Sequence, residues 1–75
     1  MSRITNIEKI EMERNTKHDE VQATYCFFTK DGEKYFQIDT YGSENGEVVG
    51  QPSQKIQFDR KFAKELISLL IKEFW

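Results

Sequence analysis

The alternation of apolar and polar positions is strongest between Val21 and Tyr41, VQATYCFFTKDGEKYFQIDTY. Two runs rich in β-branched and aromatic residues flank Asp31-Gly32, a dipeptide that accepts positive φ and so suits a two-residue type I′ hairpin turn. That turn sets the register: Lys30 faces Glu33, Phe28 faces Tyr35, Phe27 faces Phe36, Tyr25 faces Ile38 and Ala23 faces Thr40. Successive side chains then fall on opposite faces. One face holds Ala23, Tyr25 and Phe27 with Phe36, Ile38 and Thr40, a core surface able to receive a helix. The other holds Gln22, Thr24, Cys26, Phe28 and Lys30 with Tyr35, Gln37, Asp39 and Tyr41, so that rings alternate with amides and hydroxyls. A face of this composition is expected to touch a partner.

The flanking patterns are weaker. Ile4, Ile7 and Ile10 recur at a spacing of three, whereas Glu8, Ile10, Met12 and Arg14 alternate. Because a lone hairpin needs more strands to be stable, residues 3–14 are read as a strand with an irregular start. The polar stretch 15–20 is then a loop, and the hairpin strands run over about 21–30 and 34–42. The connection GSENGEVVGQPS holds three of the four glycines and the only proline. A connection this long tends to be functional, and its first half is acidic. A short strand over 54–58 points Ile56 and Phe58 inward and Lys55 and Gln57 onto the polar-aromatic face. Asp59 then caps a helix over 59–74, with Phe58 and Ala63 placed as a hydrophobic staple.

That helix carries more apolar surface than one sheet can use. At 100° per residue, Phe62, Ala63, Leu66, Ile67, Leu69, Leu70, Ile71 and Phe74 fill roughly half of its circumference, interrupted by Glu73, where a stripe of about 100° would suffice. The excess, at Leu66, Ile67, Leu70, Ile71, Phe74 and Trp75, is expected to form the interface of a homodimer. The alternative is that the hairpin and the first strand curl round both sides of the helix. Arg60, Lys61 and Lys64 stand in the first turns, where the helix dipole disfavours cations by ~0.3–1 kcal/mol each. They hint at an anion nearby, or are solvated charges offset by Asp59 and Glu65.

Composition narrows the class. A chain of 75 residues builds one domain, 1–75, with a single small core, which makes a partner or second copy valuable. A content of 37% hydrophobic, 13% aromatic and 32% charged residues fits a globular protein and excludes disorder. The net charge of -2 argues against indiscriminate polyanion binding without excluding a local basic patch. The start MSRITNIEKI has no signal-like apolar run, no apolar cluster approaches the ~20 residues of a membrane span, and Cys26 is the single cysteine. A cytoplasmic protein is expected.

Residues 34–74 resemble the second half of the transcriptional positive cofactor four family and its small bacterial relatives. In that family a strand of the type Lys-Tyr-x-Ile-Arg-x-Trp leads through a Gly- and Lys-containing loop to a short strand and a helix ending in Leu-Leu-Lys-Glu. Here the pattern is followed loosely, by Lys34-Tyr35, Ile38, Asp39, Thr40 and Tyr41, then Gly50, Lys55, Ile56 and Phe58, and finally Leu69-Leu70-x-Lys72-Glu73, with Tyr41 at the tryptophan position. The resemblance implies an α+β fold, ββββα, in which a four-stranded antiparallel meander precedes one C-terminal helix. It also implies a dimer formed through the helix and a sheet face that binds single-stranded nucleic acid, as in a small bacterial or phage transcription coactivator-like protein. Two departures weigh on the activity: Asp39 stands where the family has a basic residue, and Glu44 and Glu47 occupy a loop that is lysine-rich in the family.

No catalytic constellation is present. His18 lies beside Asp19 and Glu20 with no nucleophile placed for it, the glycines at 42, 46 and 50 do not make a phosphate loop, and one His with one Cys gives no metal-ligand spacing. An enzyme, a metal and a cofactor are therefore not expected. The first expectation is a dimeric binder of single-stranded DNA or RNA. Its site comprises Gln22, Phe28, Lys30, Tyr35, Gln37, Tyr41, Lys55 and Gln57, with Lys34, Arg60 and Lys61 reaching round from the edge. The second is an acidic protein-interaction module, an inhibitor or accessory subunit, using the same face or the loop 42–53. The third is a structural dimer whose exposed rings complete an oligomer.

Overall fold

The computed structural model of the chain describes residues 1–42 and 52–75. The acidic loop expected between strands falls largely on residues 43–51 and lies outside the described residues. Four strands and one helix follow in the order β1 (Ser2–Arg3), β2 (Ala23–Lys30), β3 (Glu33–Thr40), β4 (Gln54–Asp59) and α1 (Arg60–Phe74). The fold is α+β, with a four-stranded sheet and a C-terminal helix.

Local chemistry explains the centre of the sheet. Asp31 and Gly32 take φ of 53° and 80°, the left-handed pair that a type I′ turn requires. From that turn β2 and β3 pair antiparallel in the expected register, from Lys30 opposite Glu33 to Ala23 opposite Thr40. β3 then pairs antiparallel with β4, placing Phe36 opposite Phe58, Ile38 opposite Ile56 and Gln37 opposite Gln57. The two faces therefore continue across three strands.

The sheet is mixed rather than an antiparallel meander. Its order is β1-β4-β3-β2, and β1 runs parallel to β4, with Ser2 opposite Ile56 and Arg3 opposite Gln57. Ile4 extends this ladder by donating its N–H to the Gln57 carbonyl at 2.9 Å. The strand expected over 3–14 is thus confined to Ser2–Arg3, at the edge opposite β2. The intervening stretch to Gln22 forms no strand, and Ile7, Ile10 and Met12 are exposed. The spacing of three in Ile4, Ile7 and Ile10 does not give one buried face to an extended chain, and the alternation from Glu8 to Arg14 brings only Ile10 and Met12 to one side, too little apolar surface to hold a paired strand.

Five rings run across the helix side of the sheet. Tyr25, Phe27, Phe36, Phe58 and Phe62 lie within 5.0–6.2 Å of one another from neighbour to neighbour. Burial falls steeply along that row. Phe58 and Phe62 are buried, Phe36 is half-buried, and Phe27 and Tyr25 are 59% and 70% exposed. The cause is where the helix meets the sheet: α1 is fastened through Phe62 in its first turn, and its apolar residues from Ile67 onward are themselves exposed. Its contacts with the sheet are chiefly with β4, the strand it continues, and the β2 side is bare.

The Asp59 carboxylate accepts the Phe62 backbone N–H at 3.0 Å, so the predicted cap is formed. Replacing Asp59 by alanine is expected to lower stability by ~1 kcal/mol, measured as a shift of the urea midpoint at unchanged slope.

Candidate nucleic-acid interface

On the side of the sheet away from α1, Phe28 and Tyr35 face each other across β2 and β3. Their rings stack at 5.3 Å with 26° between planes. The Arg3 guanidinium lies 5.9 Å from the Tyr35 centroid, a cation–π distance, so Tyr35 is flanked by Phe28 and by Arg3. Both rings are half-buried.

Arg3 is the residue that sequence reasoning missed. It reaches this face only because β1 pairs parallel with β4, which sets Arg3 beside Gln57. No local signal in the sequence announces that pairing.

Further along the face, the side chains are tied to one another. Gln57 Nε2 donates to Gln37 Oε1 at 2.7 Å, and Gln37 Nε2 donates to Asp39 Oδ1 at 2.7 Å. Lys55 sits opposite Asp39. Tyr41 Oη and Thr24 Oγ1 share a hydrogen bond of 3.2 Å, and the Tyr41 N–H donates to the Gln22 carbonyl at 3.0 Å. This far end is polar and internally satisfied, and its charge is balanced.

The cations gather at the other end, near the hairpin turn. Lys30 is exposed there, opposite Glu33. Lys34 falls on the helix side of the sheet, with its ammonium 5.2 Å from the Phe27 centroid, so it does not stand on the polar-aromatic face itself. It lines a hollow of about 190 Å³ to which Tyr35 and Arg60 also contribute. Arg60, Lys61 and Lys64 line a neighbouring hollow with Glu33 and Asp59. The sequence-predicted site is therefore split. Phe28, Lys30, Tyr35 and Arg3 form its hairpin end, with Lys34, Arg60 and Lys61 round the rim, while Gln22, Gln37, Tyr41, Lys55 and Gln57 belong to the hydrogen-bonded remainder.

Among the described residues, no group of three or more His, Cys, Asp or Glu side chains could hold a metal ion. No helix among them is long and apolar enough to cross a membrane. Compared with known proteins, the chain matches no family model, no curated protein and no solved structure.

Proposed function

We propose that this chain is a small homodimeric protein that binds single-stranded DNA or RNA at the hairpin end of its polar-aromatic sheet face, in the cytoplasm and in a transcription-associated role. The observation that carries the proposal is the coincidence of the stacked Phe28–Tyr35 pair with the basic end of the molecule. Base stacking on aromatic rings contributes ~1–3 kcal/mol per base and tolerates any sequence, while cations beside the rings neutralise phosphates. Phe28 supplies the outer stacking surface, because Tyr35 is already flanked on both sides. Arg3 and Lys30 are placed for the backbone on the face, and Lys34, Arg60 and Lys61 for phosphates passing the rim. The Gln37 and Gln57 amides, bonded to each other and to Asp39, keep only their remaining donors and acceptors for base edges. The resemblance to the positive cofactor four family supports the same activity, although the parallel β1 departs from the meander that it implies.

Dimerisation is supported by the helix. Leu66 is half-buried, and Ile67, Leu70, Ile71, Phe74 and Trp75 are exposed in the single chain, the last two at 76% and 88%.

Labelled oligothymidylate and oligouridylate are expected to bind at low salt. Affinity should fall as salt rises, with a log–log slope of about -0.7 for each phosphate neutralised. No binding to either strand at low salt would reject the proposal. A second reading, an acidic protein-interaction module, is favoured by the charge balance of the face as a whole, where Arg3, Lys30 and Lys55 are set against Glu33, Asp39 and Asp59. It predicts no affinity for either oligonucleotide.

A further inference from the structure

β2 ends the sheet, so one side of its backbone pairs with β3 and the other meets nothing among the described residues. Two features fix which backbone groups face out. The two-residue turn closes on a hydrogen-bonded Lys30–Glu33 pair, and the bond from the Tyr41 N–H to the Gln22 carbonyl marks Gln22–Tyr41 as bonded too. Bonded pairs alternate, so Thr24, Cys26 and Phe28 turn their backbone groups inward to β3. Ala23, Tyr25, Phe27 and Thr29 turn theirs outward, past the edge of the sheet.

Long edge strands usually carry a guard: a charge, a proline, a bulge or a covering element. Among the described residues β2 shows none of these. From Val21 to Thr29 no residue is charged and none is proline, and the register with β3 runs unbroken from Ala23 to Lys30. The same strand holds Tyr25 and Phe27 at 70% and 59% exposure.

We infer that β2 pairs antiparallel with β2 of a second copy of this chain, about a two-fold axis at Cys26, so that two sheets join edge to edge into one. This contact is separate from the helix contact proposed above and does not rest on it.

Three observations select a second copy in this register. The first is backbone phase: outward-facing groups must meet outward-facing groups, which confines the axis to a residue position and excludes the gap between residues. With the axis at Cys26, Tyr25 faces the partner's Phe27 and Ala23 faces the partner's Thr29, each pair exchanging both N–H···O bonds. The second is the rings. This register sets the two most exposed rings of the sheet against each other as cross-strand aromatic pairs, on both sides of the axis. An axis at Tyr25 would set Phe27 against Ala23, and an axis at Phe27 would set Tyr25 against Thr29. The third is charge. Between Gln22 and Lys30 only Lys30 is charged, and it faces the partner's Gln22, so no like charges are opposed.

On the opposite face of the joined sheet, Cys26 meets the partner's Cys26 in a non-hydrogen-bonded pair. The Cα atoms of such a pair lie about 4.5 Å apart, within the span of a disulfide. For the function proposed above, both Phe28–Tyr35 pairs then share one continuous face. The two Phe28 positions are offset by about 14 Å along the strands, so one nucleic-acid strand can cross both.

Sedimentation and crosslinking of the full chain test the inference. Tyr25→Pro deletes an N–H that points out of the sheet, so the β2–β3 ladder keeps its bonds and the protomer stays folded by circular dichroism. Its affinity for its own kind is expected to fall by about 30-fold or more, which halves the mass seen by analytical ultracentrifugation where wild type is assembled. Diamide, which takes up the two thiol hydrogens as the S–S bond forms, should link wild-type chains through the exposed Cys26 about ten times faster than Tyr25→Pro chains. A folded Tyr25→Pro variant of wild-type mass would overturn the inference, and so would equal rates of crosslinking. A monomeric wild type would overturn it together with the helix contact, whereas an assembly broken by Ile71→Glu and untouched by Tyr25→Pro would overturn it alone. Should Tyr25→Pro unfold, amide exchange in wild type decides the matter. Tyr25 and Phe27 amides as slow as those of Cys26 and Phe28 support edge pairing, and fast exchange at Tyr25 and Phe27 beside slow exchange at Cys26 and Phe28 overturns it.

Discussion

Phe62→Ala is expected to bring the chain to the edge of unfolding. Phe62 is 3% exposed and, with Phe58, is one of two buried apolar residues among those described. Its ring meets Phe58 at 5.2 Å and is the point at which α1 is fastened to the aromatic row of the sheet. Removing a buried phenyl ring costs ~3–5 kcal/mol, through lost transfer energy and the cavity left behind. At ~0.05–0.15 kcal/mol per residue, a domain of this size has only about 4–11 kcal/mol of stability in all. Since 1 kcal/mol moves the midpoint of so small a domain by roughly 4–8 °C, thermal unfolding followed by circular dichroism should shift down by about 12–40 °C. Ile10→Ala is the control: Ile10 is 71% exposed in the stretch outside the sheet, and its loss should change stability by less than about 0.5 kcal/mol. Equal effects from the two substitutions would mean that the core lies elsewhere.

The same contrast separates what the sequence discloses from what it withholds. The hairpin was legible because its determinants are local: Asp31-Gly32 dictates the turn, and the turn dictates every pair from Lys30–Glu33 to Ala23–Thr40. The helix start was legible for the same reason, since the Asp59 cap acts within one turn. The place of the first strand was not. Pairing Ser2–Arg3 with β4 joins residues more than fifty positions apart, and no periodicity within 1–14 encodes it. Arg3 was missed as a direct result. Lys34 shows a milder form of the difficulty, because alternation from Phe36 already assigns it to the helix side, and only its long side chain suggests reach round the edge. The exposure of Tyr25 and Phe27 lay between these cases. Their face was readable from alternation, but how far a single helix extends over that face depends on where the helix leaves the sheet.

The second large effect is expected at the stacked pair. In a Phe28→Ala, Tyr35→Ala double variant, single-strand affinity should fall by roughly 5-fold at least, since removing the outer stacking surface and the ring that supports it forfeits ~1–3 kcal/mol of base stacking and each 1.4 kcal/mol is tenfold. The salt slope should change little, because Lys30, Lys34, Arg60 and Lys61 remain, and Arg3 loses only the ring beneath it. A charge-reversing variant of the rim, Arg60→Glu with Lys61→Glu, should behave in the opposite way, reducing the slope by about 1.4 through the loss of two phosphate contacts while leaving the rings in place. The two signatures are separable in one fluorescence-anisotropy titration series across salt concentrations. Both rings are half-buried, so folding of the double variant must be checked by circular dichroism. The Tyr41→Ala variant provides a gentler comparison at the far end of the face, where its hydroxyl is held by Thr24. If the folded double variant binds as tightly as wild type while Tyr41→Ala does not, the strand lies over the hydrogen-bonded end, and the assignment of the site to the hairpin end is wrong.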